Sequence, residues 1–268
     1  MKTLAILLIS LLLTLAAESA SNYYVVNAEG KIYVGGNLLK TGDKISEETE
    51  IKFTSAGDKL YLLSPEKGNF LIRPLKEDSN QSPHWVTLLK NALPESKYYK
   101  TASRSSEGDS RIFNDIYDVM AFFREKVTYL PETRFAVNKE KLPLDGNNYF
   151  TLNGIQGKEN QPVPGIKITP EGFVLTDAIP SDSPISLEMY YVQPGKKTLI
   201  GKFDLVIKNR LSVRNELSLF FNLAGNNAAD PSVIYFEQVV PYFKEAYGNT
   251  HLETVKDIIR KELGIAMQ

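Results

Sequence analysis

Ile185-Ser-Leu-Glu-Met-Tyr-Tyr-Val-Gln-Pro-Gly-Lys-Lys-Thr-Leu-Ile-Gly-Lys-Phe-Asp-Leu-Val-Ile207 holds the clearest β signature in the chain. Two runs rich in Ile, Leu, Val, Tyr and Phe flank Pro194-Gly195, which is turn chemistry. The stretch therefore reads as strands over Ile185–Val192 and Leu199–Ile207. Adjacent strand residues point to opposite faces. One of Tyr190 and Tyr191 is thus expected in a core and the other outside, with Glu188 on the polar phase.

Working outward, Arg134–Val137, Asn148–Leu152, Ile166–Ile168 and Phe173–Leu175 read as further strands. Pro170-Glu171-Gly172 between Ile168 and Phe173 is a hairpin turn. Leu217, Leu219, Phe221 and Leu223 alternate and predict one more strand. Ile112, Ile116, Val119, Met120, Phe123 and Val127 recur at threes and fours, which predicts an amphipathic helix over 112–127 capped by Asp109 or Ser110. At the C-terminus, Asp230-Pro231 is a cap followed by proline in the first turn. Val233, Phe236, Val240 and Phe243 then form a helical stripe that Pro241 should kink or delay. Thr250-His251-Leu252-Glu253 has the pattern of a capping box. Val255, Ile258, Ile259 and Leu263 form the next stripe, and Gly264-Ile265 fits a left-handed glycine cap.

Upstream, Tyr23 to Lys76 also has a β rhythm. Five short runs (Tyr23–Val26, Lys31–Val34, Glu50–Thr54, Lys59–Leu63 and Asn69–Arg73) are separated by turn residues, which fits a small antiparallel barrel or sandwich. Residues 77–109 read as a linker. It carries one short helix started by Ser82 and Pro83, with His84 in its first turn. The expected fold class is α+β: a small N-terminal β-domain over 22–76, the linker, and a domain over 110–268. The last is an antiparallel sheet with one preceding helix and two C-terminal helices.

The first 19 residues read as a secretory signal peptide. Lys2 precedes an apolar run from Leu4 to Ala17, and Ala17-Glu18-Ser19 places small residues where a peptidase cuts. At about 14 residues the run is shorter than the ~20 that span a bilayer. Cleavage leaves an exported chain with no stable membrane anchor, in the periplasm or secreted. The chain is 43% apolar and 24% charged, with a net charge of −1. It therefore has no global pull toward nucleic acid or an anionic membrane. It has no cysteine, which excludes disulfides, thiolate catalysis and cysteine-bound metal.

Gly30-Lys-Ile-Tyr-Val34, Leu39-Lys-Thr-Gly-Asp-Lys-Ile45, Ile51-Lys-Phe53 and Leu60-Tyr-Leu62 follow one another in a pattern that resembles the periplasmic β-domain of iron-dicitrate sensor-regulators (FecR-like). The resemblance covers roughly 45 residues. That family sets a cytoplasmic anti-sigma segment and a transmembrane helix before this domain. This chain shows neither, so the signalling role does not carry over.

Few residues invite a chemical role. The two histidines, His84 and His251, fall at helix starts with no ligand or triad spacing. Glu171, Asp177, Asp182 and Glu188 crowd one β-region and could supply a glycosidase pair, but turns and a solvated strand face explain them too. Asp145-Gly146-Asn147-Asn148 resembles a calcium loop but lacks the closing glutamate, and it is strong turn chemistry. Tyr98-Tyr99, Tyr149-Phe150 and Tyr190-Tyr191 offer flat contact area. Lys139 to Lys141 and Lys196-Lys197 read as solvated surface. No catalytic, cofactor-binding or metal-binding residue is assigned, and no cofactor is implied. The expected function is a non-enzymatic envelope or secreted protein that binds a protein or polymer partner. The alternatives are an extracytoplasmic hydrolase using carboxylates and an accessory subunit of an envelope sensor.

Overall fold

The computed structural model describes residues 22–74, 112–156, 159–163, 165–176, 184–225 and 230–267. The segment read as a signal peptide, the stretch read as a linker with a helix, His84, Tyr98-Tyr99, Asp177 and Asp182 lie outside the described residues. By its internal contacts the chain divides into two units, Met1–Pro94 and Glu95–Gln268.

The first unit holds β1 (Asn22–Glu29), β2 (Ile32–Val34), β3 (Asn37–Leu38), β4 (Lys44–Ser46), β5 (Ile51–Phe53), β6 (Lys59–Ser64) and β7 (Gly68–Ile72). They form two open antiparallel sheets, in the orders β4-β1-β6-β7 and β3-β2-β5, and not a closed barrel. Tyr23, Val25, Ile32, Ile45, Leu60, Leu62 and Phe70 fill the core that the two sheets share. Tyr23 uses its hydroxyl to bond Glu47 at 2.8 Å, and Lys67 closes on the same carboxylate at 2.6 Å. This ties the β4–β5 connection to the start of β7.

The second unit runs β8 (Ile112–Phe113), α1 (Ile116–Phe122), β9 (Glu125–Tyr129), β10 (Arg134–Val137), β11 (Tyr149–Gln156), β12 (Glu159–Val163), β13 (Ile166–Ile168), β14 (Gly172–Leu175), β15 (Ile185–Gln193) and β16 (Lys196–Ile207). It continues through α2 (Arg210–Gly225), α3 (Pro231–Ile234), a π-helical turn (Tyr235–Val239), α4 (Val240–Tyr247), β17 (Asn249–Thr250) and α5 (Leu252–Glu262). The strands make a four-stranded sheet, β13-β14-β10-β8, and a six-stranded sheet, β12-β11-β15-β16-β9-β17. One core takes Phe135 and Phe173 from the first and Phe150, Leu187, Met189, Phe203 and Leu205 from the second, with Phe123 from the end of α1. The Phe150 and Phe173 rings meet across the sheets at 5.0 Å.

The architecture is α+β, with mixed sheets: β9 runs parallel to both β16 and β17, and β8 parallel to β10. Several local expectations hold. Ile168 pairs with Phe173 across the Pro170-Glu171-Gly172 turn, which the Thr169 hydroxyl secures by accepting the Gly172 amide. Asp230 accepts the Ser232 amide at 2.7 Å, with Pro231 beginning α3. Pro241 sits in the first turn of α4, which starts afresh at Val240 after the π turn, the delayed start that the proline predicts. The π turn before it absorbs the missing donor, as the Val240 amide reaches back five residues to the Tyr235 carbonyl. Gly264 closes α5 at a φ of +68°, and the Ile265 amide bonds back to Ile259.

Three local expectations are corrected. The segment 112–127 is not one helix but β8, α1 and β9. Asp115 accepts the Tyr117 and Asp118 amides, so α1 starts there and not at Asp109 or Ser110. After Phe123 the residues Val127 and Tyr129 take up strand alternation. The stretch around Leu217–Leu223 is a helix, α2, and not a strand: Val213, Leu217 and Phe220 are buried on one face at helical spacing. The expected capping box is absent in form. His251, not Thr250, sits at the N-cap of α5, Thr250 is the second residue of β17, and Glu253 bonds Lys256 instead.

Gly201 shows why α1 can lie on β16. A Cβ there would stand 2.1 Å from the Phe123 carbonyl oxygen, which is backbone and cannot swing away. Gly201→Ala is expected to destabilise the second unit by about 1–3 kcal/mol. Gly146→Ala, with nothing within 4 Å of the new methyl, should be near neutral. Urea denaturation of both variants checks this.

Candidate functional site

Three neighbouring strands of the six-stranded sheet, β11, β15 and β16, turn one face away from the core. Alternation decides which residues these are: Phe150 and Leu152 enter the core while Tyr149, Thr151, Asn153 and Ile155 do not. Registry then sets them in rows. Tyr149 lies opposite Val192, and Val192 opposite Lys197. Thr151, Tyr190 and Leu199 form the next row, and Asn153, Glu188 and Lys202 the third. Leu199 joins this face because a bulge between Met189 and Tyr190 shifts the register, while Ile200 goes to the core. Tyr149, Ile155 and Leu199 are 39%, 38% and 40% exposed.

A polar cluster pins the middle of this face. Glu188 accepts from Lys202 at 2.5 Å and from the Tyr190 hydroxyl at 2.5 Å. The Lys197 ammonium stands 4.1 Å from the centre of the Tyr190 ring, within cation–π range. The hydrogen bond from Lys202, then that from Tyr190, holds the Glu188 carboxyl below the ordinary carboxylate range, and the Tyr190 hydroxyl is pushed up by the same bond. Glu188 is therefore an ionised anchor. On the row below, Ser186 donates to Asp204 at 2.5 Å. The chemistry available here is contact: aromatic and aliphatic area beside fixed charges.

The other sequence candidates are placed as follows. Tyr191 is core and Tyr190 faces out, and Phe150 is core while Tyr149 faces out. Glu171 sits in the β13–β14 turn, where its carbonyl accepts the Val137 amide. Asp145 accepts the Asn147 and Asn148 amides and the Asn148 side chain, and these bonds hold its carboxyl low. It is the lock of a turn. His251 meets the edge of Phe135 at 5.7 Å and its Nδ1 lies 3.0 Å from the Thr254 hydroxyl, which Thr133 also reaches. No group of three or more His, Asp or Glu is placed to hold a metal among the described residues. No helix among them is long and apolar enough to cross a membrane.

The sequence reading missed Glu216. It is 1% exposed on α2, and its Oε2 accepts from the Tyr242 hydroxyl at 2.8 Å and from the Tyr247 hydroxyl. Burial pushes its pKa up, against the hydrogen bonds of both tyrosines and the positive charge of Lys208. A signal was present: Glu216 shares the helical face of Val213, Leu217 and Phe220, a place where a carboxylate is out of character. Reading that stretch as a strand hid it. No family model matches the chain, and neither do curated proteins or solved structures.

Glu188 makes a prediction. Its folded pKa is depressed, so its stabilisation is present above the unfolded pKa and lost as pH falls through the folded one. Unfolding free energy should drop on acidification below about pH 4.5, and Glu188→Gln should make that drop shallower. Denaturant titrations at stepped pH measure it.

Proposed function

We propose that the chain is an exported, non-enzymatic binding protein of the cell envelope, whose second unit docks a protein partner on the outward face of β11, β15 and β16. The observation that carries this reading is the co-location on one sheet face of exposed Tyr149, Ile155 and Leu199 with the ordered Tyr190–Lys197 and Glu188–Lys202 pairs. Loose surface side chains lose entropy when a partner arrives. Charges already fixed in pairs lose less, and rigid aromatic rings give contact area at small entropic cost. Exposed apolar residues grouped on one face are also a mark of interaction sites.

Export rests on the apolar segment that follows Lys2 and on the small residues at Ala17-Glu18-Ser19. The first unit, with its two small sheets, is the part that resembles the FecR-like periplasmic β-domain. It fits the same role, as an accessory module working beside a membrane-held sensor.

The test is recovery of partners by the tagged mature protein from lightly cross-linked envelopes of its host. Wild type is expected to bring down a reproducible envelope protein. The double variant Tyr149→Ser, Leu199→Asp should lose it by on the order of tenfold or more, the cost of roughly one hot-spot contact. Tyr117→Ser, which alters a 74% exposed aromatic on α1, should retain it. Equal loss in both variants, or a partner held by the double variant, would sink this assignment.

A further inference from the structure

Glu216 is tied into a joint. Its α2 packs beside the helix that ends at Tyr247, and Tyr242 and Tyr247 both donate to one carboxyl oxygen, Oε2. The other oxygen, Oε1, meets only the Ser212 hydroxyl, at 3.4 Å, a weak contact. Glu216 is 1% exposed, and a neutral acid is compatible with this arrangement, since it still accepts both tyrosine hydroxyls at Oε2 and holds its own proton at Oε1 on the Ser212 side. We infer that Glu216 is a protonated latch between α2 and α4, which keeps its proton while the joint is closed and releases it as the joint loosens with rising pH.

The surrounding charges agree. Lys208 is the cation that faces the cluster, its ammonium 5.0 Å from the centre of the Tyr247 ring. Arg210 and Arg214, earlier on α2, are drawn to Glu262 of α5. Glu237 of the π turn and Lys244 and Glu245 of α4 are exposed and face solvent. On α5, Glu253, Lys256, Asp257, Arg260 and Lys261 pair among themselves. Tyr242 is buried beside Glu216 and holds its own proton well above the ordinary tyrosine range, so it does not titrate ahead of the latch.

The joint has somewhere to transmit a change. Tyr247 is the last residue of α4, and its carbonyl accepts the Thr128 hydroxyl at 2.6 Å. Two residues later the chain enters β17 and pairs with β9. The π turn upstream departs from α-helical register, a feature that recurs where helices adjust.

The sign follows from linkage. A carboxyl with a raised folded pKa binds more protons folded than unfolded between the two values, so unfolding free energy falls as pH rises through that window. Two measurements on the full mature chain test the inference. Infrared spectra at stepped pH above the ordinary glutamate range of about 4.3 should show the C=O band of a protonated carboxylic acid that Glu216→Gln removes. Unfolding free energy should decline with rising pH in wild type and decline less in Glu216→Gln. If that variant fails to fold, Tyr247→Phe removes a donor to the charged form and should extend the declining window to higher pH. Absence of the acid band, or a pH profile unchanged in either variant, overturns the latch.

Discussion

The second unit depends on β9 being buried on both faces. Val127 and Tyr129 point into the core between the sheets. Thr128 and Lys126 point the other way and bond the carbonyls of Tyr247 and Ala246, at the C-terminal end of α4. A helix end leaves carbonyls without partners, and a strand edge leaves amides and carbonyls without partners. Here the two deficits are met together, because β9 is flanked by β16 on one side and β17 on the other. The strand is only five residues long, yet it joins the sandwich to the helices. Both of its pairings are parallel, so neither can be made by a tight turn. Between β9 and β16 the chain runs through β10 to β15, and between β16 and β17 it runs through α2 to α4.

That constraint explains which parts of the fold were legible. β15 with β16, and β13 with β14, are antiparallel neighbours joined by turns whose residues announce them, Pro194-Gly195 and Pro170-Glu171-Gly172. Local chemistry decides such pairs. β8 and β9 are decided by distant partners, Val137 and Ile207 among their register mates, 24 residues from Phe113 and 78 from Tyr129, and no local signal records a parallel partner so far along the chain. Between them, Ile112, Ile116, Val119, Phe123 and Val127 satisfy a helical period by spacing alone. The same residues serve a strand, a two-turn helix and a second strand once Asp115 starts the helix and Phe123 stops it. Tertiary pairing overrode periodicity.

The α2 reading failed for the opposite reason. Leu217, Leu219, Phe221 and Leu223 alternate, but Val213, Leu217, Phe220 and Phe221 are the buried set. With apolar residues this dense, both periods can be drawn through one run. Ser212 and Glu216, four apart, were the arbitrating residues. In a strand that spacing places both on one face with Ser218, whereas in a helix it places Glu216 among the buried side chains and within reach of Tyr242 and Tyr247. Outward positions were easier. The opposite placement of Tyr190 and Tyr191, and of Tyr149 and Phe150, follows from pleating alone, so the outer face of the sheet was half-visible before any registry was known. The rows on that face were not, because the bulge that brings Leu199 beside Tyr190 is marked only by Gly201, and a lone glycine in a strand signals a bulge or a close approach without fixing the register.

Glu188 and Glu216 show what environment does with one side chain. Each is almost fully buried, and each accepts from a tyrosine hydroxyl. Glu188 also has an ammonium at 2.5 Å, and its charge is thereby stabilised. Glu216 has the ammonium of Lys208 only at a distance, near the Tyr247 ring, and desolvation wins. The difference lies in geometry. Strand registry sets Lys202 directly opposite Glu188, while the inward face of a helix surrounds Glu216 with apolar neighbours. Two carboxyls of the same chain are thus driven in opposite directions. The second unit should therefore lose stability as pH falls through the Glu188 transition and as pH rises through the Glu216 transition, through different residues at different places in the fold.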